Sequence, residues 1–173
     1  LTKKLPLKKE ARTILRLRPN ENILLLMPAS RPQELKYILP TFMMAARKLQ
    51  QKYPSLIVYI PSCRKVFDEK FNEAFRKYKV KGKVISQKDN ARLKPYIYSL
   101  TKIAFCKSGT VNMELALYGI PQIVGYRVSR ITAFIAKKIL NFKVRFISPV
   151  NLLVNKLIIP EFVQKDFDEK KIF

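Results

Sequence analysis

Hydroxyl and guanidinium side chains follow three of the apolar runs in this sequence. The residues concerned are Ser30 with Arg31, Ser108 and Thr110 with Gly109 between them, and Arg127. Such side chains donate hydrogen bonds to phosphate oxygens, as do the free amides at a helix N-terminus. A glycine lets a phosphate approach the backbone closely. The pattern predicts a site for a phosphorylated ligand; simple capping of the following helices is the alternative explanation for the hydroxyl residues.

Glu114 lies about one helical turn beyond Thr110, in a segment that is otherwise apolar. It is the only acid between Asp89 and Glu161, and helix capping does not explain it well. A carboxylate in this place would accept hydrogen bonds from the hydroxyls of a ribose. Asn151, further along the chain, is on local grounds an ordinary cap or turn residue.

Short apolar strands that alternate with helices would position these residues. Apolar runs predict strands at 23–27, 56–60, 83–86, 103–106 and 122–125. Strands that are apolar throughout suit a sheet covered on both faces, and strand–helix alternation makes such a sheet parallel. We therefore predict an α/β fold, a Rossmann-like doubly wound parallel sheet, which binds its ligand at the carboxyl ends of the strands.

Helical spacing of apolar residues predicts the connecting helices. They are 33–52 with a kink or late start at Pro40, 66–78, 91–100 broken at Pro95, 111–118, a basic amphipathic helix at 129–140 and a last helix from near Pro160. The basic helix either lies on an anionic membrane or packs its apolar face into the core. We divide the chain into a basic entry segment (1–21), a Rossmann-like ligand-binding domain (22–160) and the start of a C-terminal helix (161–173).

The composition favours anionic partners. The sequence holds 35 Lys and Arg against 12 Asp and Glu, a net charge of +23, and it has no histidine. Such an excess suits phosphorylated ligands, acidic membranes or nucleic acid, unless the lysines only solvate the surface. Nucleic acid is disfavoured because the basic residues are scattered and no recognition motif occurs.

Cys63 and Cys106 lie in or beside apolar runs without metal-type spacing, and we predict two buried free thiols.

Four segments between about 22 and 164 resemble, in order and spacing, the motifs of the lipid-A-disaccharide synthases. Met27 to Arg31, with Glu34 after it, resembles their Pro-Gly-Ser-Arg segment, and Ser108 to Thr110 with Glu114 resembles Ser-Gly-Thr-x-x-x-Glu. Val124 to Arg127 resembles Val-x-Tyr-Arg, and Pro149 to Leu153 is similar to Pro-Asn-Leu-Leu with one residue inserted. A single motif of this length is unspecific evidence for a family, but the four in order identify the chain as similar to the C-terminal half of that family.

The resemblance implies a glycosyltransferase of the GT-B fold, with two Rossmann-like domains and an active site in the cleft between them. The family transfers 2,3-diacylglucosamine from its UDP carrier to 2,3-diacylglucosamine 1-phosphate. The products are the lipid A disaccharide 1-phosphate and UDP, and neither a metal nor another cofactor is needed. This chain would be the donor-binding half. The N-terminal domain, with the general base and much of the acceptor site, would be missing. The resemblance also implies a peripheral enzyme at the cytoplasmic face of the inner membrane, and a homodimer is possible.

The same resemblance implies roles for eight residues. Ser30 and Arg31 would contact the diphosphate or sugar, with Arg31 stabilising the leaving group. Ser108, Gly109 and Thr110 would cradle phosphate. Glu114 would bind the ribose, and Arg127 and Asn151 would line the nucleotide pocket. Ala29 replaces the family's usual glycine, and Pro32 should hold Arg31 in an extended conformation. The alternatives are another GT-B transferase and a non-catalytic nucleotide-binding module.

Overall fold

A computed structural model describes residues 4–28, 31–129 and 145–173. Its centre is a sheet of six parallel strands in the order β3-β2-β1-β4-β5-β6. The strands are β1 (Asn22–Met27), β2 (Leu56–Pro61), β3 (Gly82–Ile85), β4 (Thr101–Lys107), β5 (Gln122–Tyr126) and β6 (Glu161–Val163). The predicted α/β class and doubly wound parallel topology are confirmed. The predicted basic helix at 129–140 lies almost wholly outside the described residues.

Helices cover both faces of this sheet. They are α1 (Lys8–Leu15), α2 (Pro32–Lys52), α3 (Lys65–Tyr78), α4 (Gln87–Leu100), α5 (Thr110–Leu117), α6 (Pro149–Val154) and α7 (Glu169–Ile172). Within the described ranges no helix is both long enough and apolar enough to cross a membrane. Apolar side chains of these helices pack against the two faces of the sheet.

Alternate residues of β1 belong to opposite halves of the core, because successive side chains of a strand point to opposite faces. Leu24 and Leu26 join the cluster that contains apolar residues of α2 and α3. Ile23 and Leu25 join the cluster that contains residues of α1, α4 and α5. All four side chains are fully buried. The central residues of β1 are all apolar because the strand lies between two layers of helices.

Two prolines lie inside continuous helices, contrary to the break predicted at Pro95. Pro40 lies within α2 and Pro95 within α4, which begins at Gln87 because Ser86 accepts a hydrogen bond from the Asp89 amide at 3.3 Å. Each proline removes one helical hydrogen bond, but both helices pack buried apolar faces against the sheet. Tertiary packing thus outweighs the local cost of the proline.

The end of the chain and one cysteine also differ from prediction. Residues after Pro160 form the edge strand β6, paired in parallel with β5, and the last helix begins only at Glu169. Cys106 is buried in β4 as predicted, but Cys63 is exposed. Because β2 ends at Pro61, Cys63 belongs to the loop beyond the sheet edge rather than to the core.

Gly125 in β5 is required by close packing. A Cβ atom at this position would overlap the ring of Phe167, which is fully buried. The same ring packs edge-on against Phe42, with centroids 5.1 Å apart. The glycine therefore allows the turn before α7 to close over the β5 edge of the sheet.

We expect Gly125→Ala to lower the free energy of unfolding by about 1–3 kcal/mol, the usual cost of overpacking a core. Urea denaturation followed by circular dichroism measures the change. If the Phe167 ring causes the clash, Phe167→Leu should be less destabilising in the Gly125→Ala background than alone. Strictly additive effects of the two substitutions would contradict this explanation.

Candidate ligand site at the carboxyl edge of the sheet

A cavity of about 250 Å³ opens at the carboxyl edge of the sheet, beside the neighbouring strands β1 and β4. The chain leaves these two strands toward opposite sides of the sheet, so a crevice forms between their ends, as is usual for ligand sites in this topology. The lining residues come from the ends of β1, β2 and β4 and the starts of α4 and α5: Met27, Pro28, Pro61, Cys63, Asn90 and the stretch from Lys107 to Val111. We call this the glycine-loop cavity.

Asn112 shapes the loop that lines this cavity. Its side-chain oxygen accepts a hydrogen bond from the Gly109 backbone amide at 2.9 Å, and the Asn112 backbone amide donates to the Gly109 carbonyl at 3.0 Å. Since the Gly109 amide is used in this way, the first amides of α5 without a helical partner are those of Thr110 and Val111. Both residues line the glycine-loop cavity, so these amides are placed to donate to an anion.

A buried polar network keeps Asn112 in place. Its side-chain amide donates to Gln122 Oε1 at 3.1 Å and to Cys106 Sγ at 3.1 Å, and the Gln122 amide returns a hydrogen bond to the Asn112 carbonyl at 2.9 Å. Asn112 is fully buried, and burial raises the pKa of the Cys106 thiol to about 12. These bonds tie the loop rigidly to β4 and β5.

Gly109 leaves open space in front of the loop. A Cβ atom built on it would meet no atom within 4 Å, and its backbone is extended, a conformation that any residue can adopt. Neither packing nor backbone geometry in the described chain therefore requires glycine here. The missing side chain leaves room for a ligand against the backbone. Thr110 lies beside this space with its side chain exposed.

Ser108 and Asn151, two predicted ligand residues, make internal contacts. The Ser108 hydroxyl donates to the Ile147 carbonyl. The Glu161 carboxylate accepts from the Ile147 amide at 2.7 Å and the Ser148 amide at 2.9 Å, and also from the Asn151 side chain at 2.6 Å. This chain of bonds joins the loop after β4 to the segment before α6. Glu161 has no local signal in the sequence that would have predicted this function.

Asn151 is fully buried, and both ends of its side-chain amide are occupied. Besides Glu161, its nitrogen donates to the Ile159 carbonyl at 2.8 Å, and its oxygen accepts from the Ile158 and Ile159 amides at 3.0 and 2.9 Å. Asn151 thus holds the turn after α6. A part in ligand binding stays a prediction, and in this geometry it would act through the loop that Asn151 supports.

A second cavity, of about 450 Å³, brings Arg31 and Arg127 together, and we call it the arginine cavity. Arg31 is exposed and precedes the first helical residue of α2, with the extended backbone that Pro32 predicted. The Arg127 guanidinium donates to the Gln164 carbonyl from two nitrogens, at 3.2 and 3.1 Å, and lies over the Phe167 ring. Arg127 is therefore anchored to the turn before α7, whereas Arg31 faces solvent.

An ion pair joins the linings of the two cavities. Lys107, from the glycine-loop cavity, contacts Glu34, from the arginine cavity, at 2.7 Å. Lys107 directly precedes the predicted loop but was not among the predicted site residues. Ser30, which was among them, lies outside the described residues. The glycine-loop cavity and the arginine cavity are thus neighbours at the same edge of the sheet.

Glu114 does not line the glycine-loop cavity; it lies one turn deeper along α5. It forms an ion pair with Lys94, which lies one turn after the cavity residue Asn90 in α4. Burial raises the pKa of the adjacent Tyr98, and the negative charge of Glu114 adds to the effect. The binding of a ribose by Glu114 stays a prediction.

Comparison with known proteins identifies the family of this chain. The sequence profile described as "Lipid-A-disaccharide synthetase" matches residues 1–173. The lipid-A-disaccharide synthase of Prochlorococcus marinus is 48% identical over 94% of this chain and 41% of its own length. That of Gloeothece citriformis is 38% identical over 92% of the chain and 40% of its length. The chain thus spans about two fifths of these relatives.

Solved structures with low sequence identity share the fold. ADP-heptose LPS heptosyltransferase II of E. coli has a TM-score of 0.62 at 9% identity, covering 95% of this chain and 48% of the heptosyltransferase. UDP-GlcNAc 2-epimerase of Neisseria meningitidis has a TM-score of 0.51 at 17% identity, covering 86% and 38%. The sheet described above is one Rossmann-like half of the GT-B fold. On its sequence, the chain belongs to the lipid-A-disaccharide synthetase family.

Proposed function

We propose that this chain is the donor-binding part of a glycosyltransferase of lipid A synthesis. Its donor would be UDP-linked 2,3-diacylglucosamine, and its acceptor 2,3-diacylglucosamine 1-phosphate. In the reaction, the bond between the sugar C1 and the diphosphate oxygen breaks while an acceptor hydroxyl oxygen bonds to C1. The products are the lipid A disaccharide 1-phosphate and UDP. Family membership supports this proposal, and the names of the relatives agree with it.

The space in front of Gly109 is the observation that carries the proposal. An open, glycine-backed surface with two helix amides beside it suits a diphosphate. Arg31 is exposed in the adjoining arginine cavity, and Lys107 lines the glycine-loop cavity. These groups would stabilise the negative charge that develops on the diphosphate as the C1–oxygen bond breaks.

The acceptor hydroxyl must lose its proton to a base, and the sequence offers no histidine for this purpose. We place the general base in the N-terminal domain of the family, which would close over the carboxyl edge of the sheet. The present chain would then bind and orient the donor and stabilise the leaving group. This division of tasks assigns nucleotide recognition to the described residues and proton transfer to the other domain.

Isothermal titration with UDP, and with ATP as a control, tests the nucleotide part of this proposal. We expect UDP binding without added metal. Arg31→Ala and Glu114→Ala should each weaken UDP binding by about 1–3 kcal/mol, since each removes a charged hydrogen-bonding group. Lys36→Ala, a basic residue of α2 outside both cavities, is the matched control. Wild-type affinity for UDP in both test variants would contradict the site.

Cys63 offers a test of the ligand position that needs no change in the site. It is exposed and lines the glycine-loop cavity, whereas Cys106 is buried with a raised pKa. We expect Ellman's reagent to modify one thiol in the folded chain and two after unfolding. Saturating UDP should slow the modification of Cys63, and ATP should not. A Cys63 rate that UDP leaves unchanged would place the nucleotide elsewhere.

We further propose that the enzyme works at an anionic membrane surface on the cytoplasmic side. Five large aliphatic residues on α6 and the turn after it are exposed by 52–72%: Leu152, Leu153, Val154, Leu157 and Ile158. We call them the apolar patch. Lys156 lies among the patch residues in the sequence, Arg145 precedes them, and no acid occurs from 145 to 160. Aliphatic side chains with flanking cations suit insertion among anionic headgroups.

Sedimentation with lipid vesicles checks this membrane proposal. The chain should bind vesicles that contain phosphatidylglycerol more strongly than vesicles of phosphatidylcholine alone. Leu153→Asp with Leu157→Asp should reduce binding at least several-fold, because charged groups resist insertion. Leu7→Asp, exposed by 75% outside the patch, is the control. Unchanged vesicle binding would contradict the proposal. So would a dimer, seen by light scattering, that the double variant converts to a monomer.

A further inference from the structure

Lys107, at the end of β4, has hydrogen-bond donors that its contact with Glu34 does not use. Its ammonium donates to Glu34 Oε1 at 2.7 Å, and among the described residues this is its one hydrogen bond. An ammonium group carries three protons, so two remain for other acceptors. The Lys107 side chain is only 19% exposed, yet it lines the glycine-loop cavity. A charge in this position is poorly solvated and would interact strongly with an anion in the cavity.

Glu34 has an oxygen that lacks a donor. Its Oε2 atom is buried and accepts no hydrogen bond from the described part of the protein. A buried carboxylate oxygen without a donor is unfavourable, and a bound group that supplies a donor would remove this cost. Glu34 lines the arginine cavity with its side chain 14% exposed. The free oxygen therefore belongs to a carboxylate at the wall of this second cavity.

We propose that the Lys107–Glu34 pair is where the diphosphate and the sugar of the donor meet. Lys107 donates to a diphosphate oxygen through protons that Glu34 does not use. Glu34 accepts, once its carboxylate rotates so that Oε2 reaches the arginine cavity, a hydrogen bond from a hydroxyl of the donor sugar. This inference rests on the proposed function and adds two ligand contacts to it.

The position of the pair supports this assignment. Lys107 contributes to the glycine-loop cavity and Glu34 to the arginine cavity, so a ligand that occupies both passes the ion pair. Glu34 lies in the first turn of α2, beside Arg31. A carboxylate at the diphosphate itself would repel it, but Lys107 stands between Glu34 and the glycine-loop cavity and offsets that charge. The acid is thus suited to a neutral, hydroxyl-bearing group.

Titrations with UDP, uridine and UDP-N-acetylglucosamine separate these two contacts. Lys107→Met should weaken UDP binding about tenfold or more and leave uridine binding unchanged, since uridine has no phosphate. Lys107→Arg should retain most of the affinity. Glu34→Gln should leave UDP binding equal or stronger, yet weaken UDP-N-acetylglucosamine about tenfold, because the charged acceptor is lost. Lys102→Met, an exposed lysine at the other end of β4, is the matched control.

Removing one partner of a buried pair can destabilise a protein, so each variant is first melted by circular dichroism. The double variant Lys107→Gln with Glu34→Gln removes both charges and should combine both binding defects in a folded chain. UDP binding that falls with Arg31→Ala but not with any Lys107 variant would overturn the role of Lys107 and leave the proposed function standing. Equal loss of UDP and UDP-N-acetylglucosamine in Glu34→Gln would overturn the sugar contact. A wild-type chain that does not bind UDP would overturn the proposed function and this inference together.

Discussion

The hydrogen bond from the Gly109 amide to the Asn112 side chain is the contact on which the candidate site depends. It determines where the loop after β4 turns into α5 and which amides face the cavity. The position of the Asn112 side chain is itself fixed inside the protein by its hydrogen bonds to Gln122 and Cys106. A polar network in a dry interior is costly unless each member is satisfied, and here the satisfied network makes the loop rigid. A rigid loop can present its amides to an anion without being reordered on binding.

The surroundings of this loop divide the polar residues into two kinds. Ser108, Glu161 and Asn151 use their hydrogen bonds to join segments of the protein. Thr110 and Arg31 are exposed at the cavities instead. Residues of the first kind hold the scaffold, and those of the second kind are available to a ligand. The similarity of their side chains hides this division, since a serine that closes a loop and a threonine that faces a cavity carry the same hydroxyl group.

Three of the basic residues are concentrated at the two cavities. Arg31, Lys107 and Arg127 line two adjoining cavities, and the acid among them, Glu34, is paired with Lys107. The neighbourhood therefore favours a ligand with two or more negative charges over a neutral one. Most other lysines among the described residues are exposed at the surface, where they interact weakly with any single partner. We infer that this local arrangement, rather than the net charge of +23, would determine a preference for an anionic ligand.

Local sequence was sufficient for the framework of this protein. Apolar runs marked five of the six strands in the described part of the chain, strand–helix alternation predicted the parallel sheet, and Pro32 predicted the extended backbone of Arg31. These features depend on residues close together in the chain. Tertiary structure decided which polar residues remain free. Lys107 and Glu34 are 73 positions apart, Ser108 and Ile147 are 39 apart, and these pairs meet only once the strands and loops are in place. Because a side chain's hydrogen-bonding capacity can be used by such a distant partner, the motif residues could be listed from sequence, whereas their separation into scaffold and ligand groups required the fold.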